Sequence, residues 1–157
     1  MEPESARLPR LSVTIVVYNS PLPLLSRTLQ SLFIACAPLR GVILRDVSVQ
    51  LVDNGSSQEY RQELNQLVAE NDWPGTSLMF LDENSGFGAG QNMALREGVG
   101  DYHLVLNPDV ELAEDALQRG LQIMAEDPSI VLLSPFAAGA DDRQEFLCKR
   151  HPSVAVL

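Results

Sequence analysis

The chain has 157 residues, enough for one domain with a buried core. Its 45% hydrophobic and 20% charged residues are those of an ordinary globular protein, and no apolar run approaches the ~20 residues a membrane helix needs. Eleven Lys and Arg against 21 Asp and Glu give a net charge of −10, which argues against a nucleic-acid binder. The same charge obliges an anionic ligand to be offset by local dipoles or a metal cation.

Residues 1–10 are polar and read as a disordered lead. Leu11 to Tyr18 is a β-branched, almost continuous apolar run, the pattern of a strand buried on both faces. It ends at Asn19-Ser20-Pro21. Pro23 suits the first turn of a helix whose stripe is Leu25, Leu29, Leu32 and Phe33. After a loop closed by Gly41, Val47 to Val52 reads as a second strand, ending in Asp53-Asn54-Gly55-Ser56-Ser57 ahead of a helix with Leu64, Leu67 and Val68. Trp73-Pro74-Gly75 breaks that helix. Ser77 to Leu81 is the third strand, followed by Asp82-Glu83-Asn84 and a loop from Ser85 to Gly90. A helix from about Ala89 to Glu97 is ended by Gly98 and Gly100.

The fourth strand, His103 to Leu106, reads as buried and stops at Asn107-Pro108-Asp109. Pro108 cannot donate to a ladder and biases Asn107 towards an extended backbone. A helix of roughly Glu114 to Glu126 follows, and Ile130 to Leu133 is expected to form a fifth strand. From Ser134 onward the pattern dissolves, ending in the basic tract Cys148-Lys149-Arg150-His151. Strand alternating with helix implies an α/β fold: a mostly parallel sheet, right-handed crossovers and helices on both faces, as in a Rossmann-like nucleotide-binding half.

Ligands bind at the carboxyl ends of the strands in such sheets. Asn19, Asp53, Asn84 and Asn107/Asp109 would line one crevice there. Amides and carboxylates suit a ribose, a base edge or a hard divalent cation, whereas bare phosphate wants Arg, Lys or backbone N–H groups. The competing reading is that each is a turn or cap residue. For the phosphates, Asn84 to Asn92 offers Gly86, Gly88 and Gly90 for close backbone approach, then a helix N-terminus; the alternative is a packing loop. A dinucleotide fingerprint fails on spacing, because Gln91 stands where the third glycine belongs. No P-loop lysine motif and no nucleophile-elbow serine is present. Cys36 and Cys148 have no metal spacing and read as reduced thiols, and His103 and His151 read as structural and solvent-exposed. With no signal peptide, the chain is expected to be cytoplasmic, so the Asn54-Gly55-Ser56 glycosylation acceptor is discounted.

Taken as an ordered set, TIVVYNS, LVDNGSS, NSGFGAGQN and LNPDVEL resemble the donor half of family-2 inverting glycosyltransferases, nearest their rhamnosyltransferase-like branch, from about Leu11 to the end. The resemblance implies a GT-A-like fold and transfer of a sugar, such as rhamnose, from a nucleotide-diphosphate sugar to a saccharide or lipid-linked saccharide acceptor in cell-surface polysaccharide assembly. It places Tyr18 and Asn19 near the nucleotide, Asp53 on the base or ribose, and Asn84, Gly86, Gly88 and Asn92 along the donor. Asn107 takes the first position of the family's Asp-x-Asp and is expected on ribose or a metal-bound water. Asp109 is expected to ligate Mg²⁺ or Mn²⁺, which bridges the diphosphate.

The family's catalytic base lies further downstream, so the chain is expected to stop at Leu157 short of it and to be inactive alone. Asp141, Asp142 and Glu145 are not promoted to that role. Self-association through Ile130 to Phe136 is expected, and peripheral membrane contact is compatible with a lipid-linked acceptor. Two other classes stay open: a nucleotide-binding module without catalysis, and a sugar-phosphate nucleotidylyltransferase. The last ranks lowest, because no glycine- and arginine-rich loop follows the first strand.

Overall fold

The computed structural model describes residues 8–139 and the backbone of 144–145. The chain divides into two compact units, Met1–Asp115 and Ala116–Leu157. In the first, β1 (Arg10–Val17), α1 (Leu22–Cys36), β2 (Asp46–Asn54), α2 (Gln58–Glu70), β3 (Thr76–Leu81), α3 (Phe87–Glu97) and β4 (Tyr102–Val105) alternate. The four strands are all parallel, in the order β3-β2-β1-β4. Arg10 belongs to β1, so the expected lead is shorter than ten residues; its residues 1–7 lie outside the described ones.

The registers Val13↔Val49 and Ile15↔Leu51 set β-branched and leucine side chains side by side at the sheet centre, where all four are at most 1% exposed. Every residue from Leu11 to Val17 is buried, as a strand covered on both faces requires. β4 differs from expectation. It is one of the two edge strands of the described sheet, and Tyr102 to Leu104 are only half-buried.

The connections β1-α1-β2 and β2-α2-β3 step one way across the sheet, and β3-α3-β4 steps back past β1. Right-handed crossovers therefore put α1 and α2 on one face and α3 on the other. In agreement, Ala94 of α3 packs on Val16 and Val52, with Met79 and Leu81 beside them. Leu25, Leu29 and Leu32 give α1 a fully buried stripe, each leucine contributing roughly 1.5–3 kcal/mol. α2 is capped by Ser57, whose side chain accepts from Tyr60 N, and Trp73 just beyond it stacks on Phe33 of α1.

The second unit holds α4 (Ala116–Glu126) and a short antiparallel pair, β5 (Ala137–Ala138) with β6 (Gln144–Glu145). The fifth strand expected at Ile130 to Leu133 is not formed. An apolar run becomes a strand only where a neighbour takes its N–H and C=O groups, and no described strand lies beside this one. Val131 and Leu132 are instead about nine-tenths exposed. Among the described residues no helix is long and apolar enough to cross a membrane.

Candidate functional site

The strand order reverses between β1 and β4, so the crevice at their carboxyl ends is the switch point where open α/β sheets take ligands. Tyr18 and Asn19 leave β1 there and Asn107 to Asp109 leave β4. Tyr18 is half exposed. Asn19 has φ +45°, the only left-handed non-glycine among the described residues. It is held there by both ends: its N–H donates to Ser56 Oγ at 2.9 Å, and its Oδ1 accepts from Ser57 N at 3.1 Å. The β1 exit is thus fastened to the β2 exit.

At the β2 exit, Asp53 is 0% exposed. Its Oδ2 accepts from Arg61 Nε at 2.7 Å, and both its oxygens lie 3.3 Å from Ser56 N. Arg61 also donates to the Leu81 carbonyl and stands 5.5 Å over the Phe80 ring. Burial, with the Asp53 carboxylate adding to it, pushes the nearby Tyr60 phenol up to about 12. The carboxylate expected to face a base or ribose is therefore enclosed and spent on a cation of its own chain. It fixes the turn and α2 rather than presenting itself.

Asn54 and Asn84 do similar work between β2 and β3. Asn54 Nδ2 donates to Asn84 Oδ1 at 2.9 Å, Ser85 N donates to Asn54 Oδ1 at 3.2 Å, and Gly86 N donates to Asn84 Oδ1 at 2.9 Å. Gly55, at φ +80°, lets the two exits touch: a Cβ there would sit 2.5 Å from the Glu83 carbonyl carbon.

The glycine stretch is shorter as a loop than expected. α3 begins at Phe87, because Gly90 N already bonds to Gly86 O at 3.2 Å, so Gly88 and Gly90 lie in its first turn. The three glycines also separate. Gly86 is a helix cap at φ +88°, and a Cβ on either Gly86 or Gly88 would meet nothing within 4 Å. A Cβ at Gly90 would come 3.0 Å from a Val16 methyl, so Gly90 lets α3 pack closely on β1. The N–H groups of Phe87 to Ala89 have no intrahelical partners, and no side chain among the described residues caps them. Asn92 is exposed and lines an open hollow of about 610 Å³ with Asp82, Glu83 and Arg96; none of Tyr18, Asn19, Asn107 or Asp109 reaches it.

At the β4 exit the backbone is held and the side chains are left out. Thr28, fully buried on α1, donates to the Pro108 carbonyl at 3.0 Å, Leu112 N donates to Ser31 Oγ at 3.0 Å, and Arg27 pairs with Glu111. Asn107 and Asp109 stay exposed, and neither side chain bonds to another described residue. No group of three metal-ligating side chains occurs among the described residues. A Mg²⁺-type site does not need one, since such ions bind through one or two carboxylates, waters and substrate phosphates. An exposed carboxylate with no internal partner, as at Asp109, fits that mode.

Two residues escaped the sequence reading. Arg61 could have been suspected only as a buried cation's partner for Asp53. Gln91 is 6% exposed on the sheet side of α3, and neither its Oε1 nor its Nε2 has a partner among the described residues. A buried amide left unsatisfied is costly and is commonly completed by a ligand or water. The acids considered downstream, Asp141 and Asp142, lie outside the described residues, as does the side chain of Glu145.

Comparison with known proteins agrees with this architecture. An uncharacterized glycosyltransferase of Haemophilus influenzae is 24% identical over 130 residues, covering 83% of this chain and 48% of that protein. The mannosyltransferase PcManGT from Pyrobaculum calidifontis, solved with GDP-Man and Mn²⁺, superposes with a TM-score of 0.65 at 22% identity, over 82% of this chain and 35% of its own. S. aureus TarS 1-349 in complex with UDP gives 0.57 at 21%, over 74% and 32%. The chain thus spans about half the length of the curated relative and about a third of those structures. At these identities the structural likeness establishes the fold, a GT-A-like α/β sheet. The family follows from the sequence itself: Glycosyl transferase family 2 matches residues 12–155, and the chain belongs to that family.

Proposed function

We propose that this chain is the donor-binding part of a glycosyltransferase that takes a nucleotide-diphosphate sugar at the β1/β4 switch point with a divalent cation, Mg²⁺ or Mn²⁺. The observation that carries the reading is the β4 exit: a loop pinned by its backbone to α1, with Asn107 and Asp109 exposed and unspent. Asp109 would hold the cation and Asn107 a ribose hydroxyl or metal-bound water. When bound, the cation offsets the diphosphate charge and stabilises it as a leaving group. Tyr18 and Asn19 form the nucleotide side, and the free N–H groups at the start of α3, with Gly88 open beside them, face the donor. Gln91 supplies a buried amide. Asp53 and Asn84 act through the turns they brace, which is a positioning role.

The finer reading is an inverting, rhamnosyltransferase-like enzyme of surface polysaccharide assembly that works at the cytoplasmic side on a saccharide or lipid-linked acceptor. Such a transfer is a single displacement and needs a carboxylate base at the acceptor hydroxyl, typically worth ~10²–10⁴-fold in rate. The exposed Val131, Leu132 and Phe136 support self-association of the chain as it stands. Thermal shift against nucleoside mono-, di- and triphosphates, with and without Mn²⁺, tests the central part. Diphosphate preference supports it, and triphosphate preference would favour a nucleotidylyltransferase.

A further inference from the structure

The amino-terminal half of the sheet, on the α3 face, carries a second cavity unlike the switch point. β1 and β2 alternate there: Ser12 and Thr14 pair with Ser48 and Gln50, while the opposite face is Val and Leu. Parallel strands are usually apolar on both faces. α3 ends at Glu97, and the Gly98 to Gly100 link turns down onto β1, where a Cβ on Gly100 would meet the Arg10 carbonyl at 2.5 Å. Between link and strands lies a cavity of about 160 Å³, floored by Thr14, Ser48 and Gln50 and walled by His103 and Glu97. Ser12 lies about 17 Å from the β1 exit, at 3.3 Å of rise for each of five residues.

The hydrogen bonds around Ser12 fix what this cavity offers. Ser12 Oγ accepts from Gly100 N at 2.9 Å, lies 2.8 Å from His103 Nδ1, and lies 3.3 Å from the Tyr102 carbonyl. Two neutral arrangements satisfy these contacts: Nδ1–H donates to the hydroxyl, or the hydroxyl donates to Nδ1 and the ring proton sits on Nε2. In either arrangement Nε2 is buried without a partner among the described residues. Burial lowers the His103 pKa, which keeps the ring neutral. Thr14, 2% exposed, and Ser48, Gln50 and Glu97 likewise make no side-chain bond to another described residue.

We infer that this cavity binds one neutral, hydroxyl-rich molecule the size of a single sugar ring, separately from the nucleotide. An anion is disfavoured by Glu97 and by the absence of a lining cation among the described residues, and an apolar ligand by the hydroxyls and amide of the floor. Among the described residues a metal would find one imidazole and one carboxylate. The cavity's volume is close to that of a cavity that holds one benzene. It is open to solvent at the exposed Ser48, Ser77 and Glu97, so a bound sugar ring would keep some of its hydroxyls in water. Ring hydroxyls would donate to Glu97 and the Gln50 carbonyl oxygen and accept from Ser48, Thr14 and the Gln50 amide nitrogen, with the His103 ring as a wall.

The test is titration of the isotope-labelled 157-residue protein with D-glucose, D-mannose and L-rhamnose, and with glycerol as the acyclic control, followed by amide and imidazole NMR. Expected is a saturable shift at Gln50, Gly98, Gly100 and the His103 ring for at least one sugar, unchanged by added nucleoside diphosphate. Gln50→Leu should weaken it about tenfold while the other resonances stay in place. Thr14→Val, near-isosteric, is the second variant should Gln50→Leu disturb the strand. No saturable shift with any sugar, equal response to glycerol, or parent affinity in both variants would overturn the inference.

Discussion

The exits of β2 and β4 carry the same kind of residues, an acid and an amide at the carboxyl end of a strand, and the fold uses them in opposite ways. At β2, Asp53 and Asn54 are buried and consumed: Asp53 by Arg61 and Ser56, Asn54 by Asn84 and Ser85. At β4 the fastening runs through backbone groups, Pro108 C=O and Leu112 N–H, so the side chains of Asn107 and Asp109 are free. A strand-end carboxylate is a ligand group only if the protein has not already used it. Residue type and position do not tell the two cases apart; the hydrogen-bond partners do.

The largest effect expected from this contrast is at Asp53. Asp53→Ala should lower unfolding stability by roughly 3 kcal/mol, the low end for breaking a buried pair, because Arg61 keeps some contact with solvent. Denaturant unfolding measures it, and an Asp53→Asn, Arg61→Gln double variant should recover part of the loss. A fully stable Asp53→Ala that no longer binds nucleotide would move Asp53 back to the ligand.

A pair of glycines sharpens the contrast next. Gly55→Ala should cost about 2 kcal/mol, since a Cβ meets the Glu83 backbone and φ is +80°. Gly88→Val should change stability by less than about 1 kcal/mol, having open space and a helical position, yet should abolish donor binding by blocking approach. Thermal melts and nucleotide titration on the same samples separate the two. If Gly88→Val lost stability in step with binding, the first turn of α3 would be a packing device after all.

The smallest effect lies at the other end of the strands. Burial depresses the His103 pKa, so the unfolded chain takes up that proton first as pH falls. The His103 contribution is present above the unfolded value of about 6.5 and is lost as pH falls through the lower folded value. Melting temperature followed downward from pH 7 should therefore drop, and His103→Gln should flatten that drop. An unchanged slope would place the protonation elsewhere.

Much of this was legible in the sequence, for reasons that particular residues show. Leu11 to Val17 and Val47 to Val52 are β-branched runs with no competing period, and the structure pairs them directly. Asn107-Pro108-Asp109 announced a strand end because proline cannot continue a ladder. Ile130 to Leu133 looked equally strand-like, but a strand is a relation between two segments and one run cannot reveal its neighbour. Arg61 stayed hidden because its meeting with Asp53 depends on where α2 starts after the turn. Gly88 and Gly90 look alike in sequence; only Val16, brought against α3 by the sheet, distinguishes them.

The most direct measurement is nucleoside diphosphate affinity for the parent and for Asp109→Asn, each with Mn²⁺ and with excess chelator. Asp109 is exposed and makes no side-chain bond to another described residue, so the variant should melt within about 0.5 kcal/mol of the parent. Expected is tight binding by the parent only with Mn²⁺, and binding by Asp109→Asn that Mn²⁺ no longer strengthens. Equal parent affinity in chelator, or an undiminished Mn²⁺ response in Asp109→Asn, would contradict the assignment of the β4 exit as the donor's metal site.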